Sequence, residues 1–210
     1  MGSIKDLKEY AKNNNIPIMQ EDGIEFLEKY IKENNIKSIL EIGSAIGYSA
    51  IRMAKVDKNI KITTVERDEN RYNEAVKNIE LFKLNNQIDI ILKDALEIEI
   101  KDKFDLIFID AAKAQSIKFF EKFQENLNEN GTIITDNLNF HGLTKNPDNI
   151  ESKNLRALVK KINRYREYLK QNENFKTEFI ETGDGISISK RIKGNVWWII
   201  KKWGKKPSQN

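Results

Sequence analysis

Residues 38–53 read SILEIGSAIGYSAIRM, and the architecture predicted for the rest of the chain follows from this stretch. An apolar run at residues 39–42 is interrupted by Gly43 and Gly47, and apolar residues then return at helical spacing. This pattern predicts a buried strand, a tight turn and the start of a helix. Glycine lets the backbone pass close to a ligand, and the first turn of a helix has unpaired N–H groups. The stretch therefore indicates a ligand-binding turn.

The spacing of the two glycines indicates which ligand the turn receives. A dinucleotide fingerprint needs Gly-x-Gly-x-x-Gly, with a phosphate at the end of the helix. Here the third glycine is missing and Glu41 lies two residues before Gly43, where a carboxylate would repel pyrophosphate. S-adenosylmethionine (SAM) carries a sulfonium and an ammonium group and no phosphate, so the motif favours SAM. The alternative is a strand–helix turn that contains glycines but binds nothing.

Composition limits the classes of protein that the chain can belong to. A length of 210 residues predicts one domain with a real core. The absence of cysteine excludes disulfides, zinc–thiolate sites and a thiol nucleophile, and it fits the reducing cytoplasm, where we place the protein. The one histidine, His141, excludes a histidine-rich metal site. A net charge of +4 is compatible with nucleic acid but too weak to require it. We expect neither a signal peptide nor a membrane span.

Two amphipathic helices, at residues 4–14 and 21–34, precede the first strand. We expect this N-terminal part, residues 1–36, to cap the sheet or an opening in it. Met19 lies in the linker between the two helices, at residues 16–20. It is predicted to contact the cofactor, and the alternative is that it packs in the core.

Strands and helices alternate through the middle of the chain. Strands are predicted at residues 39–42, 60–65, 88–92, 104–109 and 132–135, and helices at residues 69–84, 116–127 and 155–169. Such alternation predicts a parallel sheet with right-handed crossovers, and the almost wholly apolar strand at residues 104–109 should be central. Residues 138–152 are predicted to be a loop. Strands at residues 175–181 and 186–192 flank Thr182-Gly183-Asp184-Gly185, which predicts an antiparallel hairpin.

Acidic or amide side chains lie at the carboxyl ends of the predicted parallel strands. They are Glu41, Glu66, Asp94, Asp110, Asp136 and Asn137. In open parallel sheets, ligands bind outside the carboxyl ends of the strands, and an acid about 20 residues after the glycine loop binds the ribose. Glu66, 23 residues beyond Gly43, matches that position. Asp94 is predicted to accept a hydrogen bond from the adenine amino group; a solvated turn or a helix N-cap is the alternative.

Asp110, Asp136 and Asn137 offer two carboxylates and one amide oxygen. Oxygen ligands without imidazole or thiolate suit a hard cation, and we expect Mg²⁺ in preference to Ca²⁺. Such an ion beside a methyl donor can bind a hydroxyl, lower its pKa and align its oxygen with the methyl carbon. Lys113, three residues after Asp110, is predicted to orient the hydroxyl or to take its proton. The alternative is that Lys113 opens a helix and points to solvent.

These motifs together resemble the metal-dependent O-methyltransferases of the catechol and caffeoyl-CoA type. The resemblance covers residues 17–189. It implies a class I SAM-dependent methyltransferase fold: a Rossmann-like, seven-stranded, mostly parallel sheet with a C-terminal antiparallel hairpin, helices on both faces, and a homodimer. It implies cofactor contacts at Met19, Glu41, Gly43, Gly47, Ser49, Glu66, Asp94, Ala95 and Asp110. It also implies a metal at Asp110, Asp136 and Asn137, with Lys113 and Asp110 as catalytic residues.

Within that family, residues 16–19, 45–50, 136–143 and 183–189 resemble the bacterial tRNA 5-hydroxyuridine methyltransferases. This resemblance implies methylation of the 5-hydroxyl of the wobble uridine to give 5-methoxyuridine. The helix at residues 155–169 has a basic face that would meet the anticodon arm, although such a face can simply be solvated. Its side chains are Arg156, Lys160, Lys161 and Arg164. DNA is not an expected partner.

Three other functions are kept as alternatives. The first is a small-molecule O-methyltransferase of the catechol type, which would share every catalytic residue. The second, a nicotinamide-dependent oxidoreductase, is disfavoured by the missing third glycine. The third is a non-catalytic protein that binds RNA or a membrane through residues 193–210, a basic tail rich in tryptophan and lysine. Residues 1–192 are predicted to form one domain, and docking of the tail on that domain or on a dimer partner is favoured over membrane contact.

Overall fold

The computed structural model describes residues 2–145 and 147–192. Within these residues, seven strands form one sheet in the order β3-β2-β1-β4-β5-β7-β6. The strands are β1 Ser38–Ile42, β2 Lys61–Glu66, β3 Ile88–Leu92, β4 Phe104–Ile109, β5 Leu127–Thr135, β6 Phe175–Ile180 and β7 Ile186–Arg191. β1 to β5 are parallel, and β7 pairs antiparallel with both β5 and β6. β4 occupies the middle of the sheet, so the prediction from its apolar sequence is confirmed.

The described residues also form six α-helices. They are α1 Ile4–Asn13, α2 Glu21–Glu33, α3 Tyr48–Ala54, α4 Glu69–Leu81, α5 Ser116–Phe123 and α6 Lys153–Lys170. Side chains cap three of them: Ser3 begins α1 in a capping box, Asp68 accepts from Arg71 N–H before α4, and Ser152 accepts from Leu155 N–H in α6. No helix in the described part of the chain is long and apolar enough to cross a bilayer.

Alternate residues of each central strand face opposite sides of the sheet, and helices cover both sides. Ile39 and Phe108 are buried in a cluster with apolar side chains of α1, α2 and α3. Leu40 and Ile107 are buried in a second cluster with side chains of α5 and α6, where the ring of Phe120 meets that of Tyr165 edge-on. Burial on both faces explains why β1 and β4 are mostly apolar, with Glu41 in β1 and Asp105 in β4 as the charged exceptions. The layers are helix, sheet and helix, as the sequence predicts.

One predicted boundary is wrong. The helix expected at residues 116–127 ends at Phe123, a 3₁₀ turn follows, and β5 begins at Leu127 instead of residue 132. The side-chain amide of Asn126 donates to the carbonyls of Ile100 and Asp102, and this holds the chain away from a further helical turn. Residues 127–131 therefore belong to β5. The pairing of β4 with β5 shifts register between Phe104 and Leu106.

The connections of the sheet create a crevice beside β1. The chain moves from β1 to β2 and β3 on one side and then crosses to β4 on the other, so the strand order reverses between β1 and β4. The ladder continues one residue past these strands, because Gly43 N–H donates to Val65, Asp110 N–H to Ile42 and Asp136 N–H to Ile109. The residues that follow the strands are thereby brought to one edge, where α/β proteins bind ligands.

Candidate active site

A cavity of about 540 Å³ opens at this edge of the sheet. Its size is typical of sites for small ligands. The glycine loop, the linker between α1 and α2, and the ends of four parallel strands all contribute to its wall. Predicted site residues that line it are Met19, Gly43, Ser49, Glu66, Asp94, Ala95, Asp110, Lys113 and Asn137.

The two glycines of the loop have different roles. Gly43 lines the cavity at φ +95°, and a Cβ atom there would lie 2.6 Å from the carbonyl oxygen of Asp110. Gly47 is the left-handed N-cap of α3, at φ +81°, and is not part of the cavity wall. Gly43 therefore permits a close approach of β1 and β4, whereas Gly47 turns the chain into the helix. The structure places Gly47 behind the wall, where it packs close to Ala75, and its contact with the cofactor stays a prediction.

Glu66 is fixed by the backbone at the end of β2. Its carboxylate accepts hydrogen bonds from the N–H groups of Ala45 at 2.9 Å, Arg67 at 2.9 Å and Asp68 at 3.0 Å. These bonds tie the acid to the glycine loop, and the side chain is nearly buried in the cavity wall. A carboxylate oxygen can accept more than one hydrogen bond, so Glu66 remains able to bind ligand hydroxyls.

Glu41 lies beneath the cavity instead of in its wall. Its side chain is fully buried and accepts hydrogen bonds from the Ser49 hydroxyl and, at 2.5 Å, from the Thr64 hydroxyl. Burial raises the pKa of Glu41 to about 7, and the nearby carboxylates of Asp110 and Glu66 add to the increase. Glu41 is thus not among the residues that line the cavity, and its contact with the cofactor stays a prediction. Glu41 orients Ser49, which does face the cavity.

Asp94 stabilises a turn and also lies in the cavity wall. One carboxylate oxygen accepts from Leu96 N–H at 2.8 Å, which stabilises a turn, and the other lies 3.7 Å from Nη1 of Arg67. The residue also lines the cavity, as do the buried Ala95 and Met19. Met19 is therefore both a core residue and a wall residue. We call this end of the cavity, from the glycine loop to Asp94, the cofactor half.

The opposite end contains Asp110, Lys113 and Asn137, and we call it the acceptor half. Nζ of Lys113 lies 2.7 Å from a carboxylate oxygen of Asp110, and only 14% of the Lys113 side chain is exposed. The alternative in which Lys113 points to solvent is therefore wrong, although the residue does open a 3₁₀ turn before α5. The geometry places an ammonium group beside the acid at the end of the central strand.

Asp136 is buried beside this pair, and within residues 2–145 and 147–192 its Oδ1 atom has no hydrogen-bond partner. Burial, together with the negative charge of Asp110, raises the pKa of Asp136 to about 7. An uncompensated buried carboxylate is costly unless a cation or a proton joins it. Two carboxylates and the amide oxygen of Asn137 thus form a donor set that fits Mg²⁺. In the described chain no three His, Cys, Asp or Glu side chains could hold a metal, so the amide is needed to complete the set.

Asp184 is a site residue that sequence reasoning missed. It is nearly buried in the turn between β6 and β7, accepts from His141 N–H at 2.5 Å, and lies 3.4 Å from the Asn137 amide nitrogen. The turn pattern explained this acid as part of a hairpin. Because β7 is antiparallel to both β5 and β6, β6 runs in the same direction as β1–β5. An acid that follows β6 therefore lies at the same edge of the sheet as the other acids, and this is the signal that could have identified Asp184.

The predicted RNA-binding residues do not share one environment. Lys160, Lys161 and Arg164 are exposed on α6. Arg156 is partly buried and donates from Nε and Nη2 to the carbonyl of Ile150, so it holds the loop before the helix. The helix packs against residues 113–115 and 143–145, beside the acceptor half. The predicted tail at residues 193–210 lies outside the described residues.

Comparison with known proteins decides the family. A family model described as O-methyltransferase matches residues 2–192. The chain belongs to this O-methyltransferase family. The predicted recognition of an O-methyltransferase is therefore confirmed, and the cavity is that of a SAM-dependent O-methyltransferase.

Individual members of the O-methyltransferase family agree with this placement. A candidate caffeoyl-CoA O-methyltransferase from Staphylococcus aureus is 39% identical with a TM-score of 0.87, over 91% of this chain and 93% of that one. An O-methyltransferase from Bacillus cereus, solved with S-adenosylhomocysteine (SAH), is 25% identical with a TM-score of 0.76, over 90% of each chain. The catechol O-methyltransferase of Niastella koreensis is 35% identical over 117 residues, 52% of each chain. The chain thus spans nearly the full length of its structural relatives.

Proposed function

We propose that this O-methyltransferase transfers the methyl group of SAM to the 5-hydroxyl of 5-hydroxyuridine at the tRNA wobble position, with Mg²⁺ at Asp110, Asp136 and Asn137. The observation that carries the RNA part is the charge around the cavity. Arg67, Arg71 and Lys93 are exposed and line the cofactor half. On the acceptor side, α6 adds the basic face described above. Cations on both sides of an opening suit a polyanion whose phosphates extend beyond the reacting base.

The residues of the acceptor half divide the work of the reaction. When bound, SAM supplies a methyl group on a positively charged sulfur, and Mg²⁺ lowers the pKa of a coordinated hydroxyl. The acceptor oxygen forms the new C–O bond as the C–S bond breaks, and the hydroxyl proton leaves. Lys113 is placed to orient that hydroxyl or, with its side chain as a neutral amine, to take its proton, and the Asp110 carboxylate holds Nζ of Lys113 in position. The low exposure of this pair limits competing water.

The cofactor half holds the donor in a fixed place. Glu66 would bind the ribose hydroxyls, Asp94 the adenine amino group, and Ser49, oriented by Glu41, the methionine end. Met19 and Ala95 would contact the cofactor through apolar surface. Because backbone N–H groups and hydroxyls already orient these acids, the site is preorganised before the donor arrives.

A small hydroxylated ring is the second candidate acceptor. The observation in its favour is the naming of the relatives, which include a catechol O-methyltransferase and, at 26% identity over 209 residues, the caffeoyl-CoA O-methyltransferase of Medicago sativa. Both candidates use the same catalytic residues. They differ in whether the basic face of α6 contributes to binding.

The deciding experiment compares acceptors directly. Nucleosides of tRNA from a strain that lacks the gene should contain unmethylated 5-hydroxyuridine by mass spectrometry. The purified enzyme with SAM and Mg²⁺ should methylate that tRNA in preference to catechol or caffeoyl-CoA. If the tRNA keeps its 5-methoxyuridine and only the small acceptors react, the tRNA proposal is wrong and the second candidate stands.

A charge-reversal pair tests the role of α6. The variant Lys161→Glu with Arg164→Glu should raise the KM for tRNA about tenfold, because about two phosphate contacts are lost, and leave the KM for a small acceptor unchanged. The control, Lys29→Glu with Lys32→Glu, makes the same change in net charge on exposed positions of α2. Equal effects of the two double variants would contradict an RNA-binding face. The homodimer stays a prediction, testable by light scattering of the same preparations.

A further inference from the structure

The start of α2 connects to both halves of the cavity. Residues 17–20, which precede this helix, line the cavity as a strap between α1 and α2. Glu21 and Asp22 are the first two residues of α2, and their side chains bond in different directions. We propose that they are positioning residues that act as a two-sided latch. Glu21 holds the strap against the cofactor half, and Asp22 holds the turn that supports the acceptor half.

The first side of the latch joins Glu21 to the helix after the glycine loop. Nη1 of Arg52 in α3 donates to Glu21 at 3.0 Å and to the Tyr48 hydroxyl at 2.8 Å. The Tyr48 hydroxyl in turn donates to Glu21 at 3.2 Å, and the Tyr48 side chain is buried in the cavity wall. Glu28 fixes Arg52 from the far side through two hydrogen bonds, at 2.6 and 2.9 Å. Arg52 is nearly buried, and its contact with Glu21 therefore holds the C-terminal end of the strap in place.

The same carboxylate also contacts α1, the helix that precedes the strap. Nζ of Lys8 in α1 lies 2.6 Å from Glu21, so α1 and α2 are clasped across the strap that separates them. The hydrogen bond from Lys8, followed by the contacts with Arg52, lowers the pKa of Glu21 and keeps it ionised. Ion pairs at exposed sites contribute little alone, but here a set of charges converges on one carboxylate beside a cavity.

The second side of the latch runs from Asp22 to the turn between β6 and β7. A carboxylate oxygen of Asp22 accepts from Gly183 N–H at 2.9 Å. The turn also receives N–H groups of the loop after β5: Leu138 donates to the carbonyl of Gly185 and Asn139 to that of Asp184. The Asp184 side chain completes the support by contacting Asn137 and His141. Asp22 thus positions, through the turn, the loop that forms the acceptor wall.

The experiment measures the two halves separately. Glu21→Ala should weaken binding of SAH, measured by calorimetry without any acceptor, about tenfold, and leave the KM of the acceptor unchanged. Asp22→Ala should raise the KM of the acceptor about fivefold and leave SAH binding unchanged. Asp22→Asn retains an oxygen that accepts from Gly183 and should restore the acceptor KM. Glu25→Ala removes the same charge from an exposed position of α2 and is the matched control.

The outcomes distinguish the latch from a general loss of stability. If both alanine variants change both constants in parallel, or behave like Glu25→Ala, the latch is wrong. Should Glu21→Ala not yield folded protein, Glu21→Gln keeps the hydrogen-bonding side chain and should weaken SAH binding about threefold. The acceptor arm rests on the proposed function, whereas the SAH arm does not. If the wild type methylates neither tRNA nor a small acceptor, the proposed function fails, and the SAH constants of the Glu21 and Asp22 variants alone decide the latch.

Discussion

The two halves of the cavity differ in how completely the protein satisfies its own polar groups. In the cofactor half, Glu66 accepts three backbone hydrogen bonds and Glu41 accepts two from hydroxyls. In the acceptor half, Asp136 keeps an unpartnered oxygen among the described residues. The loop that follows it has left-handed φ angles at three non-glycine residues, Asn137, Phe140 and His141, whereas the glycine loop of the cofactor half has one, Ala45.

This contrast shows in which half the protein satisfies its polar groups before a ligand binds. Unsatisfied buried charge and left-handed non-glycine residues cost free energy, and such features concentrate at functional sites. In the cofactor half, the acids already have hydrogen-bond partners within the protein. In the acceptor half, the buried charge and the backbone strain cost free energy, and the binding of a cation and an acceptor can offset that cost. Ligands should therefore stabilise the acceptor half more than the cofactor half. Substitutions that change shape test the cofactor half, and substitutions that remove charge test the acceptor half.

The largest expected effect is on the shape of the cofactor half. Gly43→Ala should lower the free energy of unfolding by about 3 to 4 kcal/mol, because a methyl group meets the Asp110 carbonyl and φ is left-handed. SAH binding should be lost with it. Urea denaturation and calorimetry measure both.

The acceptor half offers the matched control. Gly142 also has a positive φ, +79°, but a Cβ atom there would meet nothing within 4 Å. Gly142→Ala should therefore cost only about 1 kcal/mol, the backbone part of the effect. Equal losses of stability in the two variants would contradict the interpretation that Gly43 is required for the close approach of β1 and β4.

The second prediction concerns charge in the acceptor half. Asp136→Asn removes a buried carboxylate without changing its shape, and it should lower the rate of Mg²⁺-dependent methyl transfer about 100-fold. Without Mg²⁺ the variant should melt at the same temperature as the wild type or higher, since an uncompensated charge is gone. Scanning calorimetry with and without Mg²⁺ tests this.

Asp89→Asn is the control for that change, because Asp89 is exposed on β3 and the same charge is lost there. It should change neither activity nor the effect of Mg²⁺ on melting. If Asp136→Asn melts well below the wild type in the absence of Mg²⁺, the carboxylate is needed for folding and the contrast between the halves disappears.

The same contrast explains what the sequence could predict. The acids at the ends of β1 to β5 were predictable because the strands themselves were recognisable, and parallel strands end at one edge of the sheet. Asp184 was not, because an acid between two glycines is equally well explained by the hairpin turn. The Arg52–Glu21 contact was not predictable either, since it joins two residues that are 31 positions apart in sequence. Likewise, the end of α5 depends on Asn126 bonding to carbonyls 24 and 26 residues away.

The direction of the Glu41 side chain was not predictable for a related reason. Sequence locates Glu41 at the turn, but alternation along β1 decides that its side chain points below the cavity. There it meets Ser49 and Thr64, and not solvent or ligand. A pattern of residue types can place a side chain at an edge of a sheet, whereas its direction depends on the neighbours that pack around it.

The smallest expected effect tests this buried acid through pH. Glu41 has a folded-state pKa of about 7 against an ordinary value of 4.5, so the folded protein binds the proton more tightly than the unfolded chain. The resulting stabilisation is fully present below pH 4.5 and is lost as pH rises through 7. Glu41→Gln lacks this dependence. Between pH 5.5 and 8, the unfolding free energy of the wild type should therefore fall relative to that of the variant by about 2 kcal/mol.

Urea denaturation of both proteins at several pH values gives this difference directly, because the other titrating groups are common to both and cancel. Their cancellation matters most for Asp136, which titrates in the same range. A difference that stays constant with pH would mean that Glu41 is charged beneath the cavity, held by the hydroxyls of Ser49 and Thr64. The cofactor half would then carry a buried negative charge like the acceptor half, and the halves would differ in hydrogen bonding alone.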